Sequence, residues 1–137
     1  MTLTLDEYVD HSPVFGCLVG RFGNRIANAR FTLEGVEVVL AQNDGQNHLH
    51  GGIEEFDKRV WAGQAIEAED GPALILRYTS PDGEEGYPGT LTATVTYLLT
   101  DNNELVWKAK ATVEGKSTPV NIVHHTYWNL SNDRTSS

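Results

Sequence analysis

The stretch "LTATVTYLLTDNNELVWKAKATVE", Leu91 to Glu114, holds two runs in which apolar residues alternate with polar ones, divided by Thr-Asp-Asn-Asn. A period of two puts successive side chains on opposite faces of an extended chain. So short a polar break lets the second run fold back antiparallel on the first. The same pattern continues on both sides. Upstream, "ARFTLEGVEVVLAQ" reads as two short strands about a Glu34-Gly35 turn. "WAGQAIEAEDGPALILRYTS" reads as two more, broken at "EDGP", and "SPDGEEGYPGT" is a loop by its Gly, Pro, Asp and Glu content. Downstream, "GKSTP" is short enough for "VNIVHHTYWNL" to follow as a third consecutive strand of one meander. No helical stripe, heptad, repeat or low-complexity tract interrupts this. The expectation is a single all-β domain over residues 1–137, a sandwich or barrel part of roughly eight to ten strands.

Composition narrows the function. With 137 residues and 39% hydrophobic content, the chain can bury a core but contains no apolar run of membrane-spanning length. Its start, "MTLTLDEYVDHSP", lacks the basic and apolar regions of a secretory signal. The single cysteine, Cys17, excludes a disulfide framework and reads as a small buried hydrophobe. A net charge of −9, from 10 basic and 19 acidic residues, argues against a nucleic-acid partner, because phosphate contacts need clustered Lys and Arg. A cytoplasmic soluble protein with a small or neutral partner is expected, with no membrane association.

Three polar constellations stand out. In "TPVNIVHHTYWNL", strand alternation puts Val120, Ile122, His124, Thr126 and Trp128 on one face. Asn121, Val123, His125, Tyr127 and Asn129 take the other, which is either a ligand surface or a solvated sheet face. In "GRFGNRIANARF", a bend at Gly20 or Gly23 would aim Asn24 and Arg25 at a ligand, unless the arginines simply pair with surface acids. The G-x-x-G spacing lacks the strand-then-helix setting of a phosphate loop. In "NDGQNHLHGGIEEFDKRVW", a strand would put His48 and His50 on one face, and with Glu54 they suggest a metal. The cupin-like version of that reading lacks its glycine pattern in "STPVNIVH", so no metal is expected.

Taken in order, "GRFGNRIANARFTLEG", "NHLHGG", "FDKRVW", "SPDGEEGYPGTLTATVTYLLTDNNEL" and "TPVNIVHHTYWNL" resemble the aldose 1-epimerase (galactose mutarotase) family from about Tyr8 to about Asn132. The resemblance implies an antiparallel β-sandwich with a sugar cleft, incomplete here. It implies an isomerase that interconverts the α and β anomers of free hexoses such as galactose and glucose, without metal or other cofactor. By resemblance His125 is the general acid and His50 a catalytic and sugar-binding residue near the ring oxygen. Asn24, Arg25, Thr126 and Tyr127 would complete the substrate contacts. Thr126 and Trp128 stand where the family has Ser and Phe, and His124 stands where it has Asn.

The resemblance also implies that the family's initial strands, its glutamate base and a sugar-gripping aspartate lie outside these 137 residues. Neither Glu54, Glu55, Glu84 nor Glu85 has a family match as the base. Exposed sheet edges and self-association are then expected. The rival expectations are a catalytically silent carbohydrate-binding fragment and, behind it, a metal-dependent cupin-like β-barrel enzyme.

Overall fold

Alternation is strongest between Ala62 and Glu114, and there the chain builds its long sheet. The computed structural model describes Thr4, Asp6, Tyr8 and residues 14–131. Within them are ten strands: β1 (Leu18–Val19), β2 (Arg25–Ile26), β3 (Arg30–Leu33), β4 (Val36–Val39), β5 (His48–Leu49), β6 (Ala62–Ala68), β7 (Gly71–Ser80), β8 (Thr90–Leu99), β9 (Leu105–Glu114) and β10 (Val123–His124). Strands β6 to β9 form an antiparallel four-stranded meander in chain order. No helix among the described residues is long and apolar enough to cross a membrane.

Register explains which face is inside. Leu91, Ala93 and Val95 of β8 are buried, and Ala93 and Val95 lie opposite Tyr78 and Leu76 of β7 and Ala111 and Ala109 of β9. Thr94 on the reverse side is flanked by Arg77 and Lys110, a polar face suited to water. Over the inner face sits Phe56, packed with Leu91 and Ala93 and bordered by Trp61, Tyr78 and Ile122. Burying Leu91 and Val95 is worth about 2 kcal/mol each. A second cluster, Ala29, Leu40 and Tyr87, is enclosed by Phe22, Ile26, Phe31 and Val38 around the β3–β4 hairpin. That hairpin turns at Glu34-Gly35, where both residues have positive φ, 52° and 81°.

The end of the meander departs from expectation. Residues 120–130 do not continue the sheet: no strand follows β9 in it among the described residues, and β10 is only two residues long. β10 instead pairs with β1, Leu18 opposite His124 and Val19 opposite Val123. Asn121 continues this contact, donating to Arg21 O at 2.9 Å and accepting from Gly23 N at 2.8 Å. The cause lies in the linker. Thr118 is collected by Arg21, Ser117 by Glu34 and Lys116 by Asp82, so "GKSTP" is led across the molecule and cannot close a hairpin. β9 is left with Ala109, Ala111 and Val113 exposed.

Cys17 lies half-buried, its thiol donating to Val14 O at 3.1 Å. Burial, reinforced by Asp57 and Glu55, pushes its pKa up to about 12, so it stays an unreactive thiol.

Candidate functional site

The site begins with two backbone segments that approach closely. β2 pairs with β5, setting Arg25 opposite Leu49, and His50 follows directly. Both Asn24 and His50 adopt left-handed backbone, φ 70° and 55°. For a histidine this conformation costs about 1–2 kcal/mol. A reciprocal pair of bonds offsets it: Asn24 N–H donates to His50 Nδ1 at 3.0 Å, and His50 N–H donates to Asn24 O at 3.1 Å. Asn24 Oδ1 accepts from Arg25 N–H at 2.9 Å. Beside them Gly51 has φ 103°, and a Cβ there would stand 1.7 Å from Gly20 O. The glycine after the histidine therefore permits backbone to lie against backbone.

These bonds define the state of the His50 ring. Nδ1 accepts a backbone N–H, so it carries no proton, and the neutral ring bears its proton on Nε2. Burial lowers the His50 pKa, the neighbouring His125 and Arg25 push it the same way, and Asp57 opposes them. At neutral pH His50 is thus an uncharged donor.

His125 arrives from the other end of the chain. Its N–H donates to Cys17 O and its carbonyl accepts from Gly16 N–H, both at 3.0 Å, which extends the β1–β10 contact by one residue. The ring stands edge-on to His50, centroids 5.3 Å apart and planes at 89°. Tyr127 stacks on the His125 ring at 5.2 Å and is itself braced edge-on by Phe15 at 4.8 Å. Alternation holds across this short stretch. His124 points away, between Tyr97 and Trp107, with centroids at 5.3 and 6.0 Å. Thr126 bonds His124 Nε2 through its hydroxyl, so that hydroxyl is engaged on the His124 side and is not turned toward His50.

The guanidinium of Arg25 completes the face. Its Nε donates to Asp44 Oδ2 at 2.7 Å, with side chains 57% and 34% exposed. Of the residues singled out in the sequence, Asn24, Arg25, His50, His125 and Tyr127 are therefore brought together, and Thr126 is not. A cavity of about 560 Å³ lies elsewhere, between the β3–β4 hairpin and residues 82–88. Its lining is mainly apolar, and none of these polar side chains takes part in it.

His48 does not share a face with His50. It is fully buried, its Nδ1 donating to Ala41 O at 2.6 Å and its Nε2 accepting from Tyr87 OH at 2.7 Å. The expected common face fails because β5 ends at Leu49 and the left-handed turn at His50 redirects the second ring. With both His48 nitrogens engaged and Glu54 paired to Arg59 at 3.0 Å, the His-x-His plus Glu54 trio does not converge. Among the described residues no group of three or more His, Cys, Asp or Glu side chains is placed to hold a metal.

Glu84 and Glu85 are equally occupied. Glu84 accepts from Tyr78 OH, Ser80 Oγ and Arg59, and Glu85 accepts from the amides of Ile53 and Glu54 at 3.0 Å. Sequence reading missed Asp44. Its signal was the "NDG" turn, whose Asp could have been tied to a nearby cation as readily as to its own backbone.

The family profile described as aldose 1-epimerase matches residues 2–137. The galactose mutarotase of Sus scrofa is 46% identical over 127 residues, covering 93% of this chain and 35% of its own length. The aldose 1-epimerase of Escherichia coli strain K12 is 44% identical over 128 residues, covering 93% and 36%. The crystal structure of galactose 1-epimerase from Lactobacillus acidophilus superposes with a TM-score of 0.85 at 31% identity, over 93% of this chain and 38% of that one. An aldose epimerase homologue from C. elegans gives 0.80 at 30% identity. The chain thus spans about 35% of the length of the curated relatives it matches.

Proposed function

The chain belongs to the aldose 1-epimerase family, and we propose that its Arg25–His50–His125 face binds a free aldohexose and carries the acid half of anomer interconversion. The observation that supports this most is the edge-on pairing of His50 and His125 beside the Arg25 guanidinium. Arg25 offers Nη–H donors and His50 an Nε2–H donor to hydroxyls and to the ring oxygen. His125, an imidazole able to carry and release a proton, gives that proton to the ring oxygen as the C1–O5 bond breaks. A base takes the C1 hydroxyl proton, leaving an open-chain aldehyde. Rotation about C1–C2 and reclosure, with both protons returned, yield the other anomer. Positioned proton transfer of this kind contributes about 10²–10⁴-fold.

Glu54, Glu84 and Glu85 are all engaged in the bonds described above. The base is the glutamate that the family resemblance places in polypeptide outside these residues. That division favours a second reading, sugar binding without turnover. A free monosaccharide partner, a cytoplasmic location and pairing of the open β9 edge with further polypeptide accompany the proposal.

Polarimetry of α-galactose or α-glucose together with calorimetry tests it. Faster approach to equilibrium than buffer supports the isomerase, and heat of binding without acceleration supports the silent reading. Neither effect, in the chain alone or joined to a relative's C-terminal portion, removes both. In such a completed enzyme His125→Asn is expected to lower kcat about 100-fold or more with sugar affinity nearly intact. Unchanged turnover would strip His125 of the acid role.

A further inference from the structure

We propose that Asp44 is a positioning residue: it holds the Arg25 guanidinium on the face shared with His50, taking Nε–H and leaving the Nη edge turned to a ligand. The use of that edge for sugar hydroxyls rests on the function proposed above.

An exposed ion pair stabilises a fold little, so the 2.7 Å Arg25–Asp44 contact needs another explanation. The geometry supplies one. A guanidinium offers five N–H donors, and Asp44 engages the one on Nε. Neither Nη has a partner among the described residues. An unrestrained arginine would lose its rotamer freedom on binding a ligand, whereas one already tethered has little left to lose.

Asp44 is itself held firmly. Its N–H donates to Asn47 O at 3.2 Å and its carbonyl accepts from Asn47 N–H at 2.9 Å, closing a tight turn. Next to it, Asn43 grips the segment that carries His50. Its Nδ2 donates to Leu49 O at 2.8 Å and Gly52 O at 2.7 Å, and its Oδ1 accepts from Leu49 N–H at 2.7 Å. One short loop therefore fixes both the guanidinium, through Asp44, and the backbone on either side of His50, through Asn43. Electrostatics agrees that the guanidinium lies near His50, because Arg25 is among the charges that lower the His50 pKa.

The test uses the 137-residue chain and the variants Asp44→Asn, Asp44→Glu, Arg25→Ala and Asp44→Asn/Arg25→Ala. NMR titration of the His50 ring is the first readout. Arg25→Ala should raise the His50 midpoint toward that of an ordinary histidine by removing a nearby cation. Asp44→Asn should shift it through Arg25, so its effect should shrink once Arg25 is already Ala, and Asp44→Glu should restore the original value. A midpoint that stays fixed in Asp44→Asn, or an effect that adds fully to that of Arg25→Ala, overturns the tether.

Calorimetry with galactose is the second readout. Affinity should drop about fivefold in Asp44→Asn, recover in Asp44→Glu, and fall no further in the double variant than in Arg25→Ala. If the unmodified chain binds no galactose while the titration behaves as expected, the tether stands and the sugar reading fails. If galactose binds equally well to Asp44→Asn and to the unmodified chain, the positioning role is overturned and the sugar reading survives.

Discussion

Two trios of the same residue types, their arginines and histidines only a few positions apart in the chain, are placed in opposite ways. Arg21, His48 and Tyr87 are buried, at 2%, 0% and 0% exposure. Arg25 and Tyr127 are exposed, and His50 and His125 half-buried beside them. Arg21 gives Nε–H to Ser80 Oγ, Nη1 to Pro88 O, Gly89 O and Thr118 Oγ1, and Nη2 to Ser80 O and Pro81 O. Its guanidinium lies 5.8 Å over the Tyr87 ring. Nothing is left for a ligand. The outer arginine spends one donor on Asp44 and keeps the Nη groups open, and the outer histidine keeps Nε2. A saturated polar group builds structure, whereas a held but unsaturated one can recognise a partner.

The comparison can be broken most sharply at Arg21. Arg21→Met should cost about 3–5 kcal/mol in denaturant unfolding, because several carbonyls and Ser80 are left buried without a donor. Arg25→Ala should cost less than about 0.5 kcal/mol. Equal losses would erase the distinction between the trios. Tyr87→Phe, which strips the hydroxyl from His48 Nε2, should cost about 1–2 kcal/mol, against near-zero for Tyr127→Phe in the same assay.

Acidity sharpens it further. Burial lowers the His48 pKa, so the folded state resists protonation that the unfolded chain accepts. Stability from this source is full above the ordinary histidine value of about 6.5 and is lost as pH falls through the folded value. His50 and His124 are shifted the same way, again by burial first. Glu55 works in reverse. Burial, aided by Asp57, raises it to about 7, and its Oε2 is buried without a hydrogen-bond partner. Its contribution is full below about 4.5 and is lost as pH rises through 7. Glu55→Gln should therefore stabilise the chain by about 1 kcal/mol at pH 8, less than the full shift implies because water screens a partly exposed carboxyl. At pH 4 it should change little. A pH-independent effect in thermal melts would discount the buried-carboxyl account.

The long sheet was legible because its signals are local. Alternation in β6 to β9 and turns such as Glu69-Asp70 and "TDNN" need nothing beyond a few residues of context. The strand expected over "VNIVHHTYWNL" failed for the opposite reason. Its period was right, since His124 and His125 do face opposite ways, but its partner was chosen by Arg21, about a hundred positions upstream. His48 and His50 misled similarly. Two residues apart on a strand they would share a face, yet a bond from Asn24 turns the second one out.

Composition and pattern thus determined an antiparallel all-β chain, its family resemblance and the histidines and arginine worth watching. Those features follow from period, turn chemistry and residue type, each readable over short distances. Tertiary structure alone decided which arginine is a saturated strut and which keeps donors open, which histidine is core, and that Asp44 stands at the guanidinium. Such assignments depend on which donors find acceptors when remote segments meet, and hydrogen-bond satisfaction is a property of the assembled fold.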